Sequence, residues 1–254
     1  MKNSTLLGIA FVLFVVMIAS FSIGIPLALQ SYQSYEKEMV KSSPEVSSFD
    51  KVVMEGLGEL SITQGEKESL TIEADKKMVE LVVVEVRDNT LYISQKEKRP
   101  SFVSFSGFNN MHVTYTLVVK DLARLETKGL GDSSLKNLTT SDLDVITKGA
   151  GNVDVENLTA KKVLFKLEGL GEVKASGTVD ELTVSIEGAG EFKGKKLQSR
   201  IAQIDIKGLG DGSIYATEKL KIDVKGLGDV TYYGNPELTS QRDGMGDINK
   251  GDLD

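Results

Sequence analysis

A triplet of the form Gly-x-Gly, followed by an acidic or amide residue, recurs along this chain, and an internal repeat of this kind constrains the fold more than any local signal. The copies begin at Gly56, Gly129, Gly149, Gly169, Gly188, Gly208, Gly226 and Gly244. From Gly129 onward the intervals are nearly constant, whereas a much longer segment separates Gly56 from Gly129. The intervals predict a regular array that follows a less regular opening section.

Apolar and polar residues alternate on both sides of each triplet, with the two-residue period of a half-buried strand. Leu220, Ile222 and Val224 precede Gly226, for example, and Val230 continues the pattern after it. A single interval is too short for a crossover helix between parallel strands. Each repeat is therefore a strand, a glycine corner and a second strand, and stacked repeats bury their apolar faces in one column.

We predict an all-β chain that forms a right-handed parallel β-helix, or β-solenoid, of about six regular coils, each of roughly 18–20 residues. An antiparallel sandwich or meander is the alternative, because it also has short alternating strands. We divide the chain into a transmembrane anchor at 1–30, a polar juxtamembrane stalk at 31–48 and a β-solenoid head at 49–254. Within the head, 49–125 is the irregular opening and 126–254 contains the regular repeats.

The amino-terminal stretch has the length and composition of a membrane span. No charged residue lies between Lys2 and Glu36, and the segment from Leu6 to Leu29 is almost wholly apolar. As a helix it would be about 36 Å long, which is enough to cross a bilayer. A secretory signal has an apolar region of only about 7–15 residues. We predict an uncleaved single-pass anchor in the cell membrane with the head outside the cytoplasm; a cleaved signal is the alternative.

The composition excludes several classes of site. The chain has no cysteine and one histidine, His112, which excludes disulfides, thiol nucleophiles and a lipoprotein anchor and leaves too few ligands for a zinc centre. With 30 basic against 37 acidic residues, it lacks the basic surplus that nucleic-acid binding requires. We predict no nucleic-acid partner, no cofactor, no enzymatic activity, and no catalytic, cofactor-binding or metal-binding residue.

The repeats and the opening section together resemble a known family. The opening motifs are VMEGLGELSITQG at 53–65, LTIEAD at 70–75 and DNTLYI at 88–93, and the Gly-x-Gly-acid repeats follow them. From about Phe49 to the end, the sequence resembles the auto-transporter adhesin head GIN domain family. The resemblance implies a β-helix-like fold and an extracytoplasmic setting, and it brings no catalytic residue with it.

The residues that follow the triplets would form a column if the coils are in register: Glu59, Asp132, Asn152, Glu172, Glu191, Asp211, Asp229 and Asp247. We interpret them as exposed corner residues, balanced in part by the lysines that precede triplets, Lys128, Lys148, Lys207 and Lys225. Calcium bound between the carboxylates is one alternative. A carboxylate pair of a polysaccharide hydrolase or lyase, with Asp211 and Asp229 as candidates, is another.

The middle residues of the triplets have the opposite parity to the buried set: Leu57, Leu130, Ala150, Leu170, Ala189, Leu209, Leu227 and Met245. We expect the glycines to turn them inward through positive φ angles. If they stay outside, they form an apolar stripe for a partner or a second copy. Residues 102–108 (FVSFSGF) are a second candidate contact site, or else a strand that caps the solenoid. The sequons at Asn137 and Asn157 are equally the repeat consensus at a turn.

These observations predict a membrane-anchored, extracytoplasmic β-solenoid that acts as a binding or adhesion module. Its partner would be a surface glycan or an envelope protein, and self-association is compatible with the apolar stripe. Two alternatives remain open: a polysaccharide-active hydrolase or lyase, and a structural or regulatory partner domain of the cell envelope.

Overall fold

A computed structural model describes residues 38–96 and 112–253. The chain divides into two units, 1–38 and 39–254, and the account below concerns the second. Its elements are β1 (Met39–Ser42), β2 (Lys51–Met54), β3 (Glu59–Gln64), β4 (Ser69–Asp75), α1 (Lys76–Val79), β5 (Val82–Arg87), β6 (Thr90–Gln95), β7 (Val113–Val119), β8 (Arg124–Thr127), β9 (Ser133–Lys136), β10 (Thr139–Thr147), β11 (Val153–Leu167), β12 (Leu170–Ile186), β13 (Ala189–Ile206), β14 (Gly212–Val224), β15 (Val230–Tyr233), β16 (Glu237–Arg242) and β17 (Ile248–Lys250).

From β8 to β15, every strand pairs in parallel with the strands one coil before and after it, and β16 and β17 pair in parallel with the coil before them. The first face of the solenoid precedes the triplets and contains β6, β2, β8, the later parts of β10 to β14, and β16. The second face follows the triplets and contains β7, β3, β9, the early parts of β11 to β14, β15 and β17. This arrangement confirms the predicted β-solenoid of about six turns with coils of about 20 residues.

The core consists of the alternating apolar residues of successive coils. Leu182, Val184 and Ile186 are buried in β12 and stack on equally buried residues of β11 and β13. Phe165 and Phe192, from neighbouring parts of the core, pack against each other with ring centroids 5.1 Å apart. Because each coil buries its apolar side chains mainly against its neighbours, the stability of each coil depends on the coils stacked beside it.

The opening section closes one end of the solenoid with antiparallel strands. β4 pairs antiparallel with both β1 and β7, and β5 pairs antiparallel with β6. The inserted segment between β3 and β7 accounts for the long gap before Gly129, because the corner at Leu57 stacks directly on the corner at Leu130. These antiparallel strands cover the strand edges and apolar side chains of the first coil, which would otherwise be exposed to solvent because no further coil stacks on it.

The head begins earlier than predicted. We assigned residues 31–48 to a polar stalk, but Met39–Ser42 form β1 in the sheet, and Val46 is buried in the core. The polar composition of this stretch concealed the strand because an edge strand with one exposed face needs few apolar residues. The predicted anchor at 1–30 lies outside the described residues, and within 38–96 and 112–253 no helix is long and apolar enough to cross a membrane.

The last coil has polar residues where earlier coils have core residues. Ser240 and Arg242 in β16 occupy the positions that Ile222 and Val224 hold one coil earlier, and both are exposed. Leu238 is 38% exposed at its equivalent position. This coil therefore forms the outer cover of the core at the far end.

Candidate functional site

The triplets form a corner where neighbouring backbones approach closely. A Cβ atom on Gly149 would lie 1.9 Å from the carbonyl oxygen of Gly129, and one on Gly208 would lie 2.0 Å from that of Gly188. Any side chain at these positions would collide with backbone, so the first glycine is required by the close stacking of the corners rather than by an unusual φ angle. The second glycine has a positive φ in several copies, including Gly131 at 139°.

The middle residues of the triplets point into solvent. Leu130, Leu170 and Leu209 are 54%, 59% and 58% exposed, and Met245 is 71% exposed. The expectation that they turn inward is therefore wrong. Except between Ala189 and Leu209, each middle residue pairs with its counterpart in the next coil. The middle residues keep their outward parity, and in four copies the positive φ falls on the glycine that follows them. We call this column the apolar ridge: Leu57, Leu130, Ala150, Leu170, Ala189, Leu209, Leu227 and Met245.

A column of charged residues runs along one side of the apolar ridge, at the position before each triplet: Glu55, Lys128, Lys148, Glu168, Glu187, Lys207, Lys225 and Asp243. Neighbouring members form ion pairs, among them Lys128 with Glu55 at 2.8 Å and Lys148 with Glu168 at 3.7 Å. We expected the lysines to balance the corner acids on the other side of the ridge. The structure pairs them within or beside their own column instead.

Glu126 is the most buried carboxylate of this region, at 6% exposure. Its side chain accepts a hydrogen bond from Arg124 and lies 2.9 Å from Lys148 Nζ and 3.6 Å from Lys128 Nζ. Burial by itself would raise the pKa of Glu126, but the hydrogen bonds from Arg124 and Lys148 and the charge of Lys128 outweigh it and lower the pKa to about 2. The sequence analysis did not single out Glu126.

The corner acids on the other side of the ridge bind the backbone of the next coil. Asp211 Oδ1 accepts a hydrogen bond from the Asp229 N–H at 2.8 Å, and Asp229 Oδ1 accepts one from the Asp247 N–H at 2.7 Å. Asn152 plays the same part for the Glu172 N–H, at 3.0 Å. Asp132 makes the same bond to the Asn152 N–H. The aspartates and the asparagine of the column thus form a ladder of corner hydrogen bonds, because a carboxylate oxygen and an amide oxygen accept the same backbone N–H.

The corner column contains neither a distinct catalytic carboxylate pair nor a group of carboxylates arranged around a calcium ion, within the residues that the structure describes. Asp211 and Asp229 are stacked members of one exposed column and repeat the contacts of the other coils. Among residues 38–96 and 112–253, no group of three or more His, Asp or Glu side chains is arranged to hold a metal ion. The carboxylates are instead bound by backbone amides and, at Glu172 and Glu191, by Lys193.

Shallow grooves lie on both sides of the ridge. One of about 550 Å³ follows the ridge from Leu57 to Ala189, between the triplets and the charged column. Another of about 540 Å³ follows the corner acids from Glu59 to Glu172. The ridge with its two charged borders is the candidate contact surface, since an apolar strip framed by polar groups is the usual anatomy of a protein interface.

The structure also shows where the other residues singled out by the sequence analysis lie. Asn137 and Asn157 are exposed turn residues with left-handed φ angles, and Asn157 Nδ2 donates to Asn137 Oδ1 at 2.9 Å. His112 is exposed and immediately precedes β7. Residues 102–108 lie outside the described part of the chain.

Comparison with known proteins identifies relatives that share the solenoid. The model of the family described as "putative auto-transporter adhesin, head GIN domain" matches residues 48–236. The comparison with curated proteins gave no match.

Solved structures share the fold. A crystal structure named as a putative adhesin from Bacteroides fragilis is 30% identical, with a TM-score of 0.78, and the match covers 85% of this chain and 98% of that one. A structure named as a putative lipid binding protein from Parabacteroides distasonis is 26% identical, with a TM-score of 0.64 and the same coverage. A putative adhesin from the same organism, 19% identical with a TM-score of 0.60 and again the same coverage, shares the fold. The chain belongs to the auto-transporter adhesin head GIN domain family.

Proposed function

We propose that this chain is an adhesion-type binding module that contacts a partner protein of the cell envelope through the apolar ridge. The observation that carries the proposal is the column of apolar residues at the triplets, in which four leucines and Met245 are exposed although the fold buries the apolar residues on either side of it. An exposed apolar patch of this kind is typical of a contact surface. The similarity to relatives named as adhesins supports the same conclusion.

The borders of the ridge favour a protein over a lipid surface. The charged column is internally ion-paired, and the corner-acid column on the other side is exposed and mostly acidic. Carboxylates at the edge of an apolar strip would be repelled by anionic lipid headgroups. A protein can instead place polar groups opposite them at the rim of its interface.

We also propose that residues 1–30 anchor the module in the cell membrane, with the head outside the cytoplasm. The support is the uncharged, apolar composition of the segment from Leu6 to Leu29. An anchored module with a rigid contact surface needs no catalytic group, and the relatives are named for adhesion or lipid binding rather than for an enzymatic reaction.

The test measures how many beads coated with the 254-residue chain adhere to Bacteroides fragilis cells. It compares untreated cells with cells whose surface proteins have been digested by a protease. We expect wild-type beads to adhere to untreated cells, and the double variant Leu170→Ser/Leu209→Ser to adhere about tenfold less, because two leucines are lost from the buried interface. The matched control is Val86→Ser/Leu238→Ser, which changes two exposed apolar residues away from the ridge.

Three results would contradict the proposal. Wild-type beads that adhere no better than albumin-coated beads would exclude adhesion to these cells. Equal losses in the ridge variant and its control would exclude the ridge as the contact surface. Undiminished adherence to protease-treated cells, together with binding to phosphatidylglycerol vesicles, would replace the protein partner with a lipid.

A further inference from the structure

The coils shorten part of the way along the solenoid, and the shortening creates a step on its surface. The interval from Gly208 to Gly226 is two residues shorter than the interval from Gly188 to Gly208. β13 pairs with β14 up to Gly194 and again from Gln198, although the facing residues of β14 are consecutive. Residues 195–197 therefore have no pairing partners in the shorter coil and form a bulge. Bulges of this kind redirect side chains and are common beside functional sites.

The bulge displays two consecutive lysines at the edge of a groove. Lys195 and Lys196 lie on the bulge, while the next residue, Leu197, remains in the core. The groove has a volume of about 540 Å³ and extends over five coils, from β11 to β15. Lys174 from β12 and Lys193 from β13, the strand that carries the bulge, also line it. Four lysines thus converge on one groove in a chain whose net charge is -7.

Part of this positive charge has no counter-ion. The side chains of Lys174 and Lys196 form no ion pair or hydrogen bond with any residue in 38–96 or 112–253. Three acidic residues also line the groove. Glu156 pairs with Lys136 at 3.4 Å, and Glu191 pairs with Lys193 at 3.1 Å. Asp154 lies in register with Lys174 on the neighbouring strand without forming an ion pair with any residue that the structure describes. Lys174 and Lys196 are therefore the cations in the groove that can pair with an anionic ligand.

The floor at the far end supplies an aromatic ring and hydroxyl groups. Lys195 Nζ lies 5.0 Å from the centroid of the Tyr233 ring, a cation–π contact that holds the lysine over the step. Tyr233 and Thr231 both line the groove, and their hydroxyls form no side-chain hydrogen bond within the described residues. These groups are available to a ligand that carries hydroxyls as well as negative charge.

We propose that this groove binds a linear anionic polysaccharide. Its carboxylate or sulfate groups pair with Lys174 and Lys196, and its hydroxyls bond to Thr231 and Tyr233. The length of the groove along the solenoid axis suits an extended chain. The site lies on the second face and contains no residue of the apolar ridge, so it is independent of the adhesion surface proposed above.

The experiment measures binding of the 254-residue chain to polygalacturonate, dextran sulfate, neutral dextran and single-stranded DNA at low salt. We expect saturable binding of one or both acidic polysaccharides, no binding of dextran, and weakening as salt is added. Lys174→Gln/Lys196→Gln should weaken the binding about tenfold, because charge-assisted hydrogen bonds are lost. The control Lys219→Gln/Lys221→Gln makes the same charge change at exposed lysines of the first face and should bind like the wild type.

Each other outcome overturns the proposal. Failure of both acidic polysaccharides to bind removes the ligand class, and equal weakening in the two lysine variants shows that only net charge matters. DNA binding as tight as that of the polysaccharides assigns the groove to polyanions in general. Lys196→Glu, a single change at an exposed position, repeats the test if the double variant is unstable. The ridge variant Leu170→Ser/Leu209→Ser should retain polysaccharide binding, which separates a failure here from a failure of the adhesion proposal.

Discussion

At the scale of single residues, the corner glycines are fixed by the distance between stacked backbones. Gly208 has room only for a hydrogen, because a Cβ atom there would meet the Gly188 carbonyl oxygen at 2.0 Å. We expect Gly208→Ala to lower the free energy of unfolding by on the order of 2–4 kcal/mol, measured by urea denaturation. Leu209→Ala changes the next residue, which is 58% exposed, and should cost less than about 0.5 kcal/mol. Similar losses in the two variants would contradict the steric account.

Glu126 makes a pH-dependent contribution to stability. Its pKa is about 2 in the folded chain, below the ordinary value of 4.5, so its contribution is complete above about pH 4.5 and is lost as the pH falls from there toward 2. We expect Glu126→Gln to be less stable than the wild type at neutral pH by roughly 1–3 kcal/mol. In urea denaturation at several pH values, the two proteins should converge as the pH approaches 2. A difference that is the same at pH 7 and pH 2 would contradict this assignment.

At the scale of the strand and corner, stacking is reinforced by the ladder of corner acids. Asp211 Oδ1 accepts the Asp229 N–H, so Asp211→Ala should lower the free energy of unfolding by about 1 kcal/mol. Asp211→Asn keeps an oxygen acceptor, as Asn152 does naturally, and should be close to the wild type. Thermal and urea denaturation of both variants provide the measurement. An asparagine variant as unstable as the alanine variant would show that the negative charge, rather than the hydrogen bond, is what matters.

The elements were predictable from the sequence where the repeat is strict. Alternation and the fixed phase of the triplet indicated the parallel coils from β8 onward, because one pattern serves many identical environments. The parity of the alternation also placed the ridge residues outside, and they are exposed there. The expectation that the glycines would turn them inward was wrong, because in copies such as that at Gly131 the positive φ falls on the glycine after the middle residue. Strand β1 was not predicted because its sequence is largely polar, as an edge strand that pairs with one neighbour allows.

The candidate sites follow the same division. The ridge residues and the corner acids could be identified from the sequence because they recur at fixed positions in the repeat. The acidic members of the charged column, such as Glu168 and Glu187, also recur there, but the sequence analysis named only its lysines. The groove beside Lys195 and Lys196 depends on a mismatch between two neighbouring coils. A sequence shows that the interval between triplets shortens after Gly208, but only the register of β13 and β14 shows where the surplus residues emerge.

At the scale of the whole molecule, stability depends on coils that match in phase. Deleting residues 149–168 removes one full repeat and joins Lys148 to Gly169, so the interval from Gly129 to the next triplet is unchanged. We expect this variant to fold with a β-rich circular dichroism spectrum and a cooperative thermal transition, since each coil contacts mainly its neighbours.

The matched control for that deletion removes half a repeat, residues 149–158. The inward and outward parity of the strands is retained, but the corner falls half a coil out of phase, so glycines no longer stack on glycines and bulky residues enter the narrow corner. We expect no cooperative unfolding transition in this variant. Two deletions of equal stability would contradict the requirement for phase.

The two ends of the solenoid differ: antiparallel strands cover the first, and the exposed strand β16 forms the last. The covered end is amino-terminal to the regular coils, so the ribosome synthesises it first. Each later coil can then pair in parallel with the exposed strands of the coil that has already folded. Most contacts of a new coil are with the coil made immediately before it, which keeps the search for partners local. The asymmetry therefore gives the chain a direction of assembly that coincides with the direction of its synthesis.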